Sequence, residues 1–459
     1  MPLLSILDRE HSIADAHYSR WLVPPAALAI HLSIGQAYAF SVFNLPLSQT
    51  IGVTQSAPGD WKLSTIGWVF SVAIVFLGLS AALFGPWLER AGPRKAMFVS
   101  ALCFGGGFEV AAIGVATHQF WLLLLGYGVL GGIGLGIGYI SPVTTLIRWF
   151  PDRPGMATGM AIMGFGGGAM IASPLSTTLM AHFRSATTTG VALTFVTLGV
   201  LYFGFMMIGV FTVRVPRPEQ RPTGWLTAEH PRALAVTPGN VTAKRAIRTP
   251  QFWLLWVVLC VNVTAGIGVL GQASPMIQEM FPGSISASAA AGFVGLLSLA
   301  NMAGRFFWSS LSDYIGRKRV YATFFLLGAA LYAAVPSIGK AGSVGLFVAG
   351  YVVIMSMYGG GFATIPAYLR DMFGTIQVGA IHGRLLTAWS TAGILGPVLV
   401  NYIREYEIDH GVAKADAYTT TMHIMAGLLV IGFVSNVLVR PVDGRNVVVE
   451  EPSSAAATT

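Results

Sequence analysis

Apolar residues in this chain do not alternate with polar ones. They come in long runs of about twenty residues or more, closed at their ends by Gly, Pro and charged residues. At about 1.5 Å of rise per helical residue, such a run crosses the roughly 30 Å hydrocarbon core of a bilayer. Twelve are predicted, over 22–47, 63–88, 96–116, 119–149, 155–180, 188–213, 251–281, 288–311, 319–339, 343–370, 379–403 and 418–439. A polar segment rich in Pro and Arg, 214–250, separates the sixth run from the seventh. The expected organisation is an all-α polytopic membrane protein: an N-terminal segment 1–21, a six-helix bundle 22–213, a cytoplasmic linker 214–250, a second six-helix bundle 251–439 and a disordered tail 440–459.

Composition agrees, since only 10% of the 459 residues are charged, against about 25% in soluble domains, and mean hydropathy is +0.67. The formal charge of +8 would suit nucleic acid, but its placement argues otherwise. With both termini taken as cytoplasmic, 21 of the 27 basic residues fall in cytoplasmic segments, five lie outside, and Arg305 is left within a span. That asymmetry fixes an even span count and both ends inside. Basic charge is then a topology signal with an affinity for anionic lipid headgroups, and the expected location is a bacterial inner membrane with a monomer as the working unit. Ala37-Tyr38-Ala39 has the form of a leader cleavage site, but the apolar run continues past it and is read as a span. Cys103 and Cys260 both fall in runs, so no disulfide framework, metal site or cofactor is expected.

The two halves repeat. Glu89-Arg90-Ala91-Gly92-Pro93-Arg94-Lys95 matches Asp313-Tyr314-Ile315-Gly316-Arg317-Lys318-Arg319 at an offset of 224, and Pro142 with Pro366 and Gly159 with Gly383 share that offset. Internal duplication explains three features in one order at one spacing. The repeated segment, carrying Glu89, Arg90, Gly92, Arg94 and Lys95 in one half and Asp313, Gly316, Arg317 and Lys318 in the other, predicts a tight turn. Its acid is placed to bond a neighbouring helix end and its basic residues to pair across the turn, a charge latch that one conformation closes and another opens. A topological anchor is the plainer alternative.

Arg305 lies eight residues inward from Asp313, about 12 Å deep and near the bilayer midplane. A charge there costs about 2.5–3.5 kcal/mol on insertion scales, so it requires a polar cavity or a partner. A guanidinium offers two parallel N–H donors, which suits a carboxylate. The alternative is a structural ion pair with Glu109, the only deep acid. Asn301 precedes Arg305 by one turn and shares its face, ready to serve one ligand or a helix–helix hydrogen bond. Tyr358 and Phe362 share a face of the tenth run around Gly359-Gly360-Gly361. Trp389 in the eleventh run, Tyr38 in the first and Tyr139 in the fourth are further candidates for a cavity wall. Gly131–Gly138 and Gly164–Gly168 follow no strand and precede no phosphate-loop lysine, so they are read as helix-packing stripes. No Ser/His/Asp set or nucleotide fingerprint is present, and no enzymatic activity is expected.

Two six-helix halves joined by a linker and sharing this loop segment resemble the major facilitator superfamily, over roughly 20–440. Arg148-Trp149-Phe150-Pro151 with Gly155, Gly159 and Gly164-Phe165-Gly166, then Thr249-Pro250-Gln251-Phe252-Trp253 and Asn301-Met302-Ala303-Gly304-Arg305, resemble the oxalate/formate antiporter family and its monocarboxylate transporter relatives. The resemblance implies twelve transmembrane helices in two pseudo-symmetric bundles. It also implies a midplane cavity lined by aromatics at Tyr38, Tyr139, Tyr358, Phe362 and Trp389, with Arg305 holding a carboxylate. Two departures matter. Oxalate exchangers carry a lysine where this chain has Ala392, so one cation implies one carboxylate. Mammalian monocarboxylate transporters carry an aspartate at Asn301, so the proton acceptor lies elsewhere, with His31 and Glu109 as candidates.

The expected function is therefore secondary active transport of a small organic monocarboxylate such as lactate, pyruvate, formate or acetate, with proton symport, by alternating access. Anion exchange of the oxalate/formate type is the alternative within transport. A transporter-like sensor is the alternative outside it, and would need a soluble domain larger than the low-complexity tail after Arg440.

Overall fold

A computed structural model describes residues 5–15, 17–217 and 239–447. Among the described residues twelve helices are long and apolar enough to span a membrane: α1 (Arg20–Leu47), α2 (Leu63–Ala91), α3 (Pro93–Ala116), α4 (Phe120–Trp149), α5 (Pro154–Phe183), α6 (Val191–Thr212), α7 (Pro250–Met280), α8 (Ala287–Ile315), α9 (Arg317–Lys340), α10 (Val344–Phe373), α11 (Val378–Asp409) and α12 (Thr419–Leu438). No strand occurs among the described residues beyond a single bridge between Ile13 and Val215. The ends of the expected linker are described, whereas Arg221, Arg232 and the tail from 448 onward lie outside the described residues.

The repeated turns are tighter than the sequence pattern predicts. α2 runs through Glu89 and Arg90 to Ala91, and α3 starts at Pro93, so Gly92 alone reverses the chain. Gly316 does the same between α8 and α9. Both adopt positive φ, 85° and 90°, which only glycine takes without steric cost. Three spans are irregular inside. α1 narrows to a 3-10 segment over Gly35–Phe43, α4 widens to a π-helix over Leu124–Gly131, and α11 breaks at Leu386. Such departures re-aim side chains, and Tyr38 and Trp389 sit at two of them.

The apolar surface that faces outward, including Leu83, Trp68, Val200 and Leu346, is what a helix bundle presents to lipid. Inside, small residues set helix spacing. A methyl group added at Gly304 of α8 would lie 2.1 Å from the Ser356 carbonyl of α10, and one at Gly359 of α10 would lie 2.1 Å from the Asn301 carbonyl. These two glycines therefore let α8 and α10 touch backbone to backbone, directly beside Arg305.

The two bundles meet along two seams, α5 against α8 and α2 against α11. In the first seam, Gly155 and Gly159 abut Ser309; in the second, Gly379 abuts Thr144 and Glu89, and Gly383 abuts the Ala81 carbonyl. Gly155 with Gly379, and Gly159 with Gly383, are related by the same offset of 224, so the internal repeat is also a symmetry of contacts.

Gly304→Leu is expected to lower the melting temperature sharply, because overpacking a close helix contact costs about 1–3 kcal/mol or more. Gly292→Leu, on the same helix with open space around it, is expected to leave it unchanged. Equal melting temperatures for the two variants in detergent would refute the packing argument.

Candidate functional site

Basic residues cluster on one face of the bundle, where the turns at Gly92 and Gly316 lie. Here each half grips the first turn of a helix from the other half. The Asp313 carboxylate accepts the backbone N–H of Gly155 at 2.9 Å and of Met156 at 2.8 Å, the start of α5. Glu89 accepts the Gly379 N–H at 3.0 Å, the start of α11. A carboxylate at a helix N-terminus meets unsatisfied donors and the positive end of the helix dipole. The two grips are repeat mates. Each acid is also held by a cation: Arg148 pairs with Glu89, and Arg317 pairs with Asp313 at 2.6 Å and with Asp371 at 3.1 Å.

The other basic residues of the repeated segment do not pair across their turn. Arg94 donates to the Ile6 and Val213 carbonyls, Lys95 pairs with Asp8, and Arg90 is exposed. Lys318 donates to the Val437 and Val439 carbonyls, so Arg94 with Val213 and Lys318 with Val437 repeat the offset once more. The acids bridge the bundles, while these cations tie each turn to the end of its own bundle's last helix.

Arg305 is fully buried, at 0% exposure. Its Nε donates to the Asn301 Oδ1 at 2.9 Å, and its Nη1 to the Ile162 carbonyl of α5 at 3.4 Å. Because a guanidinium only donates, the contact fixes the Asn301 amide: its oxygen is spent on Arg305 and its nitrogen is free to donate elsewhere. Arg305 Nη2, Asn301 Nδ2, Tyr139 Oη and Trp389 Nε1, all buried, make no hydrogen bond of normal geometry, and the hydroxyls of Tyr38 and Tyr139 lie in looser reach of the guanidinium. Among the described residues Arg305 enters no ion pair.

Aromatic rings enclose the guanidinium. Its carbon lies 5.2 Å from the Phe362 ring centroid and 5.7 Å from that of Phe165, within cation–π range. Trp389 packs on Phe362 at 4.5 Å, Tyr139 at 5.2 Å and Phe165 at 5.4 Å. On the side away from the basic face, Tyr38 of α1 and Tyr358 of α10 join the two bundles through their hydroxyls, 3.2 Å apart. Tyr38 is the member of this cluster that retains partial exposure. The arrangement is a tightly packed cluster drawn from both halves, termed the chamber below, with one positive charge that has no counter-charge and several donors short of acceptors.

The structure thus brings together Arg305, Asn301, Tyr38, Tyr139, Tyr358, Phe362 and Trp389. Glu109 is not among them: its Oε1 turns toward Gly199 of α6, on the α3–α6 face. His31 lies beneath the chamber, its ring 5.5 Å from that of Tyr139. Sequence reasoning passed over two residues. Phe165 of α5 lies against Arg305, and the repeat would have found it, since 224 residues separate it from Trp389. His382 of α11, 5.9 Å from Tyr139 ring to ring, carried no sequence signal.

Known proteins resemble this chain in sequence and in fold. The family model described as Major Facilitator Superfamily matches residues 26–397 and again 283–458. An oxalate:formate antiporter of Oxalobacter formigenes is 25% identical over 380 residues, 82% of this chain and 83% of its own length. An uncharacterized MFS-type transporter of Escherichia coli strain K12 is 25% identical over 382 residues, 82% of this chain and 86% of that protein. The apicoplast pyruvate carrier 1 of Toxoplasma gondii is 24% identical over 380 residues, 72% of this chain and 68% of its own. Among solved structures, the E. coli fucose:proton symporter superimposes with a TM-score of 0.65 at 14% identity, covering 92% of this chain and 100% of its own.

Asp313→Asn is expected to loosen the closed basic face, because a hydrogen bond to a charged group contributes about 1.5–3 kcal/mol. A cysteine placed at buried Ser309 should then react with a maleimide roughly tenfold faster than it does with Asp313 intact. Unchanged labelling would show that the grip does not hold the face shut.

Proposed function

We propose that this chain, which belongs to the Major Facilitator Superfamily and moves its substrate by alternating access, carries a small organic monocarboxylate together with a proton. The observation that carries the reading is the chamber's one-sided chemistry. Asn301 Nδ2 and Trp389 Nε1 are buried donors without acceptors, and beyond Asn301 and Ile162 the Arg305 guanidinium has only the loosely placed hydroxyls of Tyr38 and Tyr139. Leaving such groups unmet costs free energy, so the ligand that belongs there is rich in acceptors and negative. A carboxylate satisfies both conditions, its two oxygens accepting from the guanidinium fork.

Size and charge narrow the class. The chamber holds one cation, and the position from which relatives that exchange oxalate present a second is Ala392, a buried methyl group. The ring wall of Phe165, Phe362 and Trp389 suits a short apolar tail on a single carboxylate. The oxalate:formate antiporter and the pyruvate carrier among the relatives are named for small carboxylates, which fits the class. The antiporter's name also favours a second reading, exchange of one carboxylate for another. Symport is preferred because Asn301 leaves Arg305 uncompensated: a bound carboxylate cancels its charge, and a co-transported proton restores the balance between loaded and empty states.

In this reading the membrane is the plasma membrane of a bacterium and the basic face is cytoplasmic, an orientation that the excess of Lys and Arg on that face supports. The closed grips of Asp313 and Glu89 then belong to the state shut toward the cytoplasm. Opening to that side breaks both grips, while the Tyr38–Tyr358 contact shuts the other end.

Arg305→Lys and Arg305→Ala are expected to reduce uptake of lactate, pyruvate, formate or acetate by proteoliposomes at least tenfold, because the paired donors are lost even where the charge is kept. Retention times on gel filtration should be unchanged. Uptake by either variant at the rate of the parent protein would overturn the site. Oxalate bound more tightly than the monocarboxylates, read by thermal shift, would overturn the substrate class.

A further inference from the structure

Beneath the chamber, toward the basic face, two histidines flank one tyrosine. His31 is on α1, seven residues before Tyr38, and His382 is on α11, seven residues before Trp389. The 3-10 segment of α1 and the break of α11 intervene, and the ring contacts with Tyr139 are what place both histidines below the chamber. Both are buried, at 0% and 2% exposure, and they come from different bundles. The Tyr139 ring of α4 lies 5.5 Å from His31 and 5.9 Å from His382.

Neither ring has all its polar atoms satisfied. The Ala27 carbonyl lies 3.2 Å from His31 Nδ1 and the Tyr139 backbone carbonyl also faces the ring; both only accept, so the neutral ring with its single N–H can serve one of them and the imidazolium both. Nε2 of His382 has no hydrogen-bond partner among the described residues. The internal repeat sharpens the point. The residue related to His382 by the offset of 224 is Thr158, whose hydroxyl donates to the Ala363 carbonyl at 2.6 Å and is satisfied. Ala363 is in turn the repeat mate of Tyr139, so α5 on α10 and α11 on α4 make the same contact. One copy is filled by a satisfied hydroxyl, and the other by a titratable ring with an unused nitrogen.

We propose that His31 and His382 form the proton-binding station of this transporter, taking up one proton when a carboxylate binds at Arg305 and releasing it at the basic face. The inference rests on the proton-symport reading and assigns the groups that carry it. His31 lies within electrostatic reach of Arg305, and His382 within reach of His31. In the empty chamber the fixed guanidinium opposes an imidazolium nearby. A bound carboxylate cancels that charge and makes protonation of the pair easier, and by reciprocity a protonated pair strengthens carboxylate binding. The pair takes one proton rather than two, because two imidazoliums beside Arg305 repel each other. The step balances: an Nε2 lone pair accepts a proton brought in by the acid or by water, the carboxylate stays on Arg305, and the imidazolium later returns its proton to water on the basic face. The site's net charge is then the same loaded and empty.

Few other groups compete. Tyr139 faces both rings. Arg148 of α4 and Glu89 of α2 are paired with each other at the basic end, as are Arg370 and Asp371 at the foot of α10. Tyr358 of α10 is bonded to Tyr38, Tyr202 of α6 turns to Phe104 and Phe108, and Glu109 of α3 turns to Gly199. α5 carries no titratable side chain between Pro154 and Ala181.

The test uses proteoliposomes and whichever of lactate, pyruvate, formate or acetate the parent protein takes up fastest, read in two ways: accumulation driven by an imposed pH gradient, and counterflow exchange at equal pH. His382→Gln and His31→Gln keep polar volume but cannot carry the proton. Each is expected to depress gradient-driven accumulation at least tenfold more than counterflow. Variants that lose both in the same proportion, or keep both, overturn the station. A parent protein that exchanges but never accumulates overturns the symport reading and the station with it. Nitrogen-15 NMR of histidine in the unaltered protein is independent of variant folding: addition of the same carboxylate should turn one buried ring of the nine histidines from neutral to imidazolium, and no change overturns the proposal.

Discussion

The structure depends on one charge with no counter-charge. Arg305 sits in the membrane's low-dielectric interior, and its natural partner one turn away is an amide, Asn301, instead of a carboxylate. An acid there would complete a buried ion pair, and an anion could then take the guanidinium only once that acid had gained a proton. The amide takes one N–H of the guanidinium and adds a donor of its own. The bundle offsets part of the cost by spending a backbone carbonyl, Ile162, and two aromatic faces on the cation. What remains unmet is the binding energy available to a ligand.

Much of the surrounding fold keeps that chamber closed yet divisible. The half that supplies Arg305 and the half that supplies Tyr139 touch along glycine-lined seams, and each seam ends in a carboxylate on the first turn of the opposite half's helix. Such polar contacts are strong when made, and their groups are taken up by water when they break. They suit an interface that must open and close, where a large hydrophobic contact would bind the halves for good. Farther from the basic face the halves are joined by uncharged contacts, the Tyr38–Tyr358 hydroxyl pair and the Ser390 hydroxyl donating to the Ile74 carbonyl.

The long-range organisation was legible because the bilayer imposes it. Twelve runs, the charge asymmetry and the repeat follow from rules that act on composition and spacing, and Arg305 with Asn301 stood out as polar residues where those rules forbid them. The turns were harder, because the sequence marks Glu89 and Asp313 as acids near a reversal but not that helix continues through them to one glycine. Glu109 shows the opposite failure, since depth along a helix does not say which way a residue faces. His382 was invisible for a related reason: it falls near a predicted span end, where a histidine is unremarkable, and only the break at Leu386 and the convergence on Tyr139 give it a place.

The glycines of the two seams make shape the arbiter of the resting state. At Gly159 and Gly383 there is no room for even one methyl group between the halves, so closure of the basic face is an all-or-nothing steric fit. Adding side-chain volume there would act as a wedge, biasing the protein toward its other conformation without touching the chamber. A family of such wedged proteins would hold the transport cycle at successive points, which turns a constraint on evolution into a handle for trapping intermediates.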